Sequence, residues 1–112
     1  MDKEGDTPIQ TAVWKGYTEI VDLLLKAGAS LSVVDNEGRT PLHNAAWNGS
    51  TGVVYLLLKS GASMSVVNTL GRTPFHSAAM NGKTEVVELL LMAGASLSVV
   101  DNEVIKPSVK LR

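Results

Sequence analysis

The chain has 112 residues with no cysteine, 45% apolar residues, 19% charged residues and a formal net charge of -1. The apolar share is too high for a disordered chain, the missing cysteine excludes a disulfide framework and thiol chemistry, and no apolar run approaches the roughly 18 residues of a membrane span. Lys106, Lys110 and Arg112 account for three of the ten bases, so residues 1–105 hold seven bases against eleven acids, a balance that repels nucleic-acid phosphates.

From the N-terminus, Met1-Asp2-Lys3-Glu4 does not open a signal peptide, and with the missing cysteine this fits a cytoplasmic or nuclear setting. Gly5-Asp6-Thr7-Pro8-Ile9-Gln10 then starts a pattern that returns as Gly38-Arg39-Thr40-Pro41-Leu42-His43 and again as Gly71-Arg72-Thr73-Pro74-Phe75-His76. Leu23-Leu24-Leu25 and Gly28-Ala29-Ser30 return in the same register, as Leu56-Leu57-Leu58 and Gly61-Ala62-Ser63, then as Leu89-Leu90-Leu91 and Gly94-Ala95-Ser96. The period is 33 residues, and most positions of 35–67 are identical one period later. A fixed period of roughly 20 to 50 residues marks an array in which each unit buries its apolar face against the next.

The unit at 35–67 is the clearest. Asp35-Asn36-Glu37-Gly38 signals a tight turn, because Asp and Asn bond their own backbone and glycine tolerates positive φ. Thr40 suits a helix N-cap and Pro41 the first helical position, where its missing N–H is harmless. Along this first helix Leu42, Ala45 and Ala46 share one face, which predicts a close contact with neighbours, and Trp47 faces the other way. Asn48-Gly49 ends it.

A second helix is predicted from about Thr51 to Lys59, closed by Gly61. Val53, Val54, Leu56, Leu57 and Leu58 spread over too wide an arc for one partner, which requires burial on two sides; Gly52, Tyr55 and Lys59 are left for water. Ser63-Met64-Ser65-Val66-Val67 alternates as an extended return to the next turn. Helices this short are marginal alone, since isolated helices need roughly 12 to 15 residues to persist in water, so stability has to come from stacking. The same plan covers 68–100. From Asp101 it decays: Pro107 keeps the helix-start proline, but Val104 and Lys106 replace the turn glycine and the capping threonine. The chain thus reads as one domain, 1–112, with units at 2–34, 35–67 and 68–100 and a partial unit or tail at 101–112.

Thr-Pro-Leu-His, Ala-Ala, Asn-Gly and Thr-x-Val-Val-x-Leu-Leu-Leu-x-x-Gly-Ala at this spacing resemble the ankyrin repeat. The resemblance implies an all-α solenoid of helix-turn-helix units joined by β-hairpin loops. It also implies a concave face built from hairpin tips and first helices, and a function of binding other proteins without catalysis. Gln10 and Val13 depart from the histidine and second alanine of the pattern, and Gly52 from its usual glutamate.

No catalytic constellation is present, and no cofactor is expected. His43 and His76 lie in adjacent units, about 10 Å apart by helix-stacking distance, too far for one zinc ion; each is expected to bond the loop backbone and its threonine instead. Gly82-Lys83-Thr84 mimics a phosphate loop, but Ser77 stands where its first glycine belongs, so Lys83-Thr84 is read as the opening of a helix. Asn48-Gly49-Ser50 has the form of a glycosylation acceptor and is read as an inter-helix turn.

Trp14, Trp47 and Met80 occupy equivalent positions and line up on stacking. Large apolar residues in an exposed row either anchor a partner or cover backbone of the adjacent hairpin. Beside them the resemblance places the tips, which vary most between units: Lys3, Glu4 and Asp6; Asn36, Glu37 and Arg39; Thr69, Leu70 and Arg72; Asn102 and Glu103. The candidate surface for a protein partner is therefore Trp14, Asn36, Glu37, Arg39, Trp47, Asn48, Thr69, Leu70, Arg72, Met80 and Asn81. Ile9, Ala12 and Val13, on a helix with no unit before it, are expected to form a sticky edge, which would suit end-to-end self-association. The alternative role is that of a structural or engineered segment of a longer array, without a partner of its own.

Overall fold

A computed structural model describes residues 7–94 of the chain. Three helix pairs follow in order: α1 (Pro8–Lys15) and α2 (Thr18–Lys26), α3 (Pro41–Asn48) and α4 (Thr51–Lys59), α5 (Pro74–Met80) and α6 (Thr84–Met92). The first helices α1, α3 and α5 pack side by side in one layer, and α2, α4 and α6 in a second, each helix also touching its own partner. No strand occurs among the described residues. In place of a β-ladder, the loop at 35–39 closes with Asp35 N–H donating to the Arg39 carbonyl (3.0 Å) and Gly38 N–H to the Asp35 carbonyl (2.9 Å). The loop at 68–72 repeats this geometry one unit on. Lys3, Glu4, Asp6, Asn102, Glu103 and the partial unit at 101–112 lie outside the described residues.

Residue types explain these boundaries. Thr7, Thr40 and Thr73 are the N-caps of the first helices, each with proline directly behind it and a reciprocal bond to the residue three positions on. A cap of this kind stabilises a helix by about 1 kcal/mol. Gln10 does the work of the histidines in the first unit, its Oε1 accepting from Thr7 N–H at 2.6 Å. Gly16 and Gly49 end α1 and α3 in the left-handed conformation, at φ 74° in each case. Gly38, at φ 75°, is also crowded: a Cβ there would stand 3.3 Å from the Asn68 backbone, so the turn needs glycine for space as well as for conformation.

Between the layers, Val13, Ala45, Ala46, Val54 and Leu57 are completely buried. The wide apolar arc of α4 is covered on both sides as expected, with Val53, Val54 and Leu57 buried and Leu56 and Leu58 packed against them, while Gly52, Tyr55 and Lys59 face water. Two expectations fail. Ile9, Ala12 and Val13 are buried, because the apolar side of α1 turns inward among the core residues. The uncovered edge lies on α2 instead: Ile20 is 46% and Leu23 65% exposed, while Val53 and Val86, one and two units after Ile20, are 0% and 1% exposed. Ala79, equivalent to the buried Ala46, is exposed; α5 packs against α3, whereas no first helix lies beyond α5 among the described residues.

Candidate functional site

The loop tips and first helices form one face, held together by a polar ladder that runs from unit to unit. Thr40 N–H donates to Nδ1 of His43 at 3.1 Å, so the ring hydrogen is on Nε2, which donates to the Arg72 carbonyl of the next loop at 2.8 Å. Both ring nitrogens are thereby committed within the fold. Burial pushes the imidazole below its ordinary pKa, against the opposing pull of the Arg72 carbonyl and of the Asp35 charge. His76 repeats the threonine contact, accepting from Thr73 N–H at 3.1 Å. Among the described residues no group of three or more metal-ligating side chains stands together.

The tips are tied in the same direction. Thr69 N–H donates to the Glu37 carbonyl at 2.9 Å, joining one tip to the next. Asn48 and Asn81, candidates for partner contact, prove to be struts: their Nδ2 groups donate to the carbonyls of Trp14 (2.8 Å) and Trp47 (2.6 Å) in the preceding unit. The sequence holds the signal for this. Asparagine occupies that position in the two units that have a described unit before them, and Lys15 occupies it in the first.

Trp14, Trp47 and Met80 are all exposed at the ends of successive first helices, as their spacing required. Their surroundings differ. Arg39 lies over the Trp14 ring, 5.8 Å from its centroid, held from behind by Asp35 (2.7 Å) and Glu37 (3.6 Å). Burial alone would raise the Asp35 carboxyl, but hydrogen bonds from the Arg39 amide and guanidinium and from the Glu37 amide hold it below its ordinary value. One unit on, Asn68 and Leu70 replace both acids, and the face opens into a cavity of about 270 Å³ lined by Trp47, Leu70, Met80, Arg39, Arg72 and Glu37, with His43, Asn68 and Ser77 completing it. The geometry therefore gathers six of the eleven candidate residues around one space and places Trp14 in the neighbouring notch. Asn36 and Thr69 are exposed on the tips. His43 returns unchanged as His76, and Asn68 and Ser77 are part-buried and buried, so a search for protruding, varied residues passes over all three. Asn44, the equivalent of Ser77, is buried with Oδ1 unmatched by any hydrogen bond.

The lookalike motifs resolve into structure. Lys83 precedes Thr84 at the start of α6, and Asn48-Gly49-Ser50 is the turn between α3 and α4. No helix among the described residues is long and apolar enough to cross a membrane. A family model described as ankyrin repeats in three copies matches residues 1–68 and 33–101, and no curated protein matches the chain.

Proposed function

The chain belongs to the ankyrin-repeat family, whose repeats are generally protein–protein interaction modules, and from this premise we propose that it is a non-catalytic module binding a protein through the concave face of tips and first helices. The observation that carries the reading is the cavity between Trp47, Leu70 and Met80, three exposed apolar side chains converging on one space. Exposed apolar clusters of this kind mark interaction sites, and tryptophan is enriched among the residues that dominate binding energy. On the outer layer Tyr55 is exposed as well, with Lys59 Nζ 6.0 Å from its ring centroid. The units 2–34, 35–67 and 68–100 would act as one domain, in a cytoplasmic or nuclear setting, with no nucleic-acid or membrane partner.

A photo-cross-linking residue placed at Trp47 and, separately, at Tyr55 tests this in an extract of the source cells. Discrete adducts at Trp47 and none at Tyr55 support the module; equal adducts at both, or none at Trp47, sink it. With the captured partner in hand, Trp47→Ala weakens binding by at least about 2 kcal/mol while the fold survives, and Tyr55→Ala leaves binding unchanged. A second reading, end-to-end association as part of an array, is favoured by the uncovered Ile20 and Leu23 of α2.

A further inference from the structure

Both Asn-Gly steps of the chain join a strut to a turn. Asn48 and Asn81 donate from Nδ2 to the Trp14 and Trp47 carbonyls, at 2.8 and 2.6 Å, and a glycine follows each. That pairing is chemically labile. Asparagine is among the thermolabile side chains, and a glycine behind it has no Cβ to keep its backbone nitrogen from the asparagine Cγ. The attack is intramolecular, so it needs only a local opening that frees the glycine N–H from its hydrogen bond.

The two steps are guarded unequally. Gly49 N–H is shared between the Ala45 and Ala46 carbonyls, and Asn48 is half-buried at the end of α3, which has a first helix on either side. Gly82 N–H donates to the Ala79 carbonyl at 3.3 Å. Asn81 is exposed at the end of α5, the shortest helix, which has a first-helix neighbour on one side alone among the described residues. Opening therefore costs less at Asn81.

We propose that Asn81 is a self-modification site, deamidated by its own backbone, and that the reaction releases the hold of the third unit on the second. The Gly82 nitrogen bonds to Asn81 Cγ, the Cγ–Nδ2 bond breaks, and ammonia leaves with the proton of the Gly82 amide. Water then opens the cyclic imide at either carbonyl, giving aspartate or isoaspartate. Neither product keeps the Nδ2 donor, and each brings a carboxylate, which cannot bond the Trp47 carbonyl. Isoaspartate also adds a carbon to the main chain inside the α5–α6 turn, where Lys83 N–H reaches the Ala78 carbonyl at 3.0 Å. The lost bond joins the ends of α3 and α5, which carry Trp47 and Met80, so two walls of the tip-face cavity loosen with it.

The reaction needs no partner, and neither does its test. The full chain is held in neutral buffer, sampled over time, digested and mapped by mass spectrometry, with the peptide Ala-Ala-Met-Asn-Gly-Lys-Thr as the unfolded reference. Asn81 should convert to the acid, partly as isoaspartate, several-fold faster than Asn48. Gly82→Ala should slow the conversion, since the added Cβ meets open space in the fold and hinders only the attacking nitrogen, at the cost of the positive φ. Asn81→Asp supplies one product directly and should melt about 2 to 8 °C below the parent, the shift of one lost hydrogen bond. An intact Asn81 after the reference peptide has converted, Asn48 converting first, a rate unchanged by Gly82→Ala, or Asn81→Asp melting with the parent would each overturn the proposal.

Discussion

The inner and outer helices of this solenoid are stabilised by different physics. Each inner helix starts at a threonine cap, and the layer is stitched between units by His43, Asn48 and Asn81. The outer helices α2, α4 and α6 have no side-chain cap and hold their places through Val21, Val53, Val54, Leu57, Val86 and Leu90. Directional bonds fix the position of the loop tips, and non-directional burial supplies the bulk of the stacking energy. The surface proposed to bind is thus carried by the layer whose geometry is specified most tightly, which limits the entropy lost on binding.

The contrast is broken most severely in the outer layer. Val53→Glu puts an unpaired charge where no water reaches, and a loss above about 4 kcal/mol is expected, enough to unfold the array at room temperature. Thermal melts that still show a cooperative transition near the parent's would refute the two-sided burial of α4. His43→Ala attacks the inner layer, leaving Thr40 N–H and the Arg72 carbonyl without their partner and opening a hole, for about 2 to 4 kcal/mol in urea denaturation. Ala46→Leu overpacks the α3–α5 contact at about 1 to 3 kcal/mol, whereas Ala79→Leu, at the exposed equivalent, should be close to neutral. Similar losses in the two would contradict the asymmetry between them.

Acid separates the layers more gently. His43 has a folded pKa below its ordinary 6.5, so its contribution is complete above pH 6.5 and is lost as the pH falls through the lower folded value, the unfolded chain taking the proton more readily. Asp35 acts in a second window: its contribution is present above its ordinary 3.8 and is lost as the pH falls through its own depressed value. Denaturation at pH 7 and pH 5 should show the parent losing stability on acidification and His43→Ala losing less; parallel losses would remove the histidine from the account.

The period made the helices legible. Thr-Pro pairs, Asn-Gly and the Leu-Leu-Leu runs recur with local signatures, so boundaries such as Thr51–Lys59 could be set before any coordinates. The exposed row of Trp14, Trp47 and Met80 followed from helical geometry alone. What escaped was whatever depends on a neighbour. Ile9 and Ile20 are both apolar residues of the first unit, and only the packing reveals that the first is buried and the second left uncovered. Asn48 faces solvent, and its role becomes visible only when its bond reaches Trp14, 34 residues away. Likewise Asp35 and Asn68 differ by one atom type in sequence, yet that change accompanies a covered notch in one unit and an open cavity in the next.

The smallest effect is expected where the outer layer runs out of neighbours. Ile20 and Val53 share one register position, but Ile20 is 46% exposed and Val53 is fully buried. An added charge at Ile20 keeps its hydration, so Ile20→Glu should alter stability by less than about 0.5 kcal/mol, against the collapse expected from Val53→Glu. The same substitution bears on association. If the α2 edge stacks against another molecule, sedimentation should show concentration-dependent growth in the parent that disappears in Ile20→Glu and Leu23→Glu, since a charge on the joining surface must be desolvated without a counter-ion. Growth that persists in both variants would place the contact elsewhere, and a parent that stays monomeric at all concentrations would remove the end-to-end reading while leaving the tip face untouched.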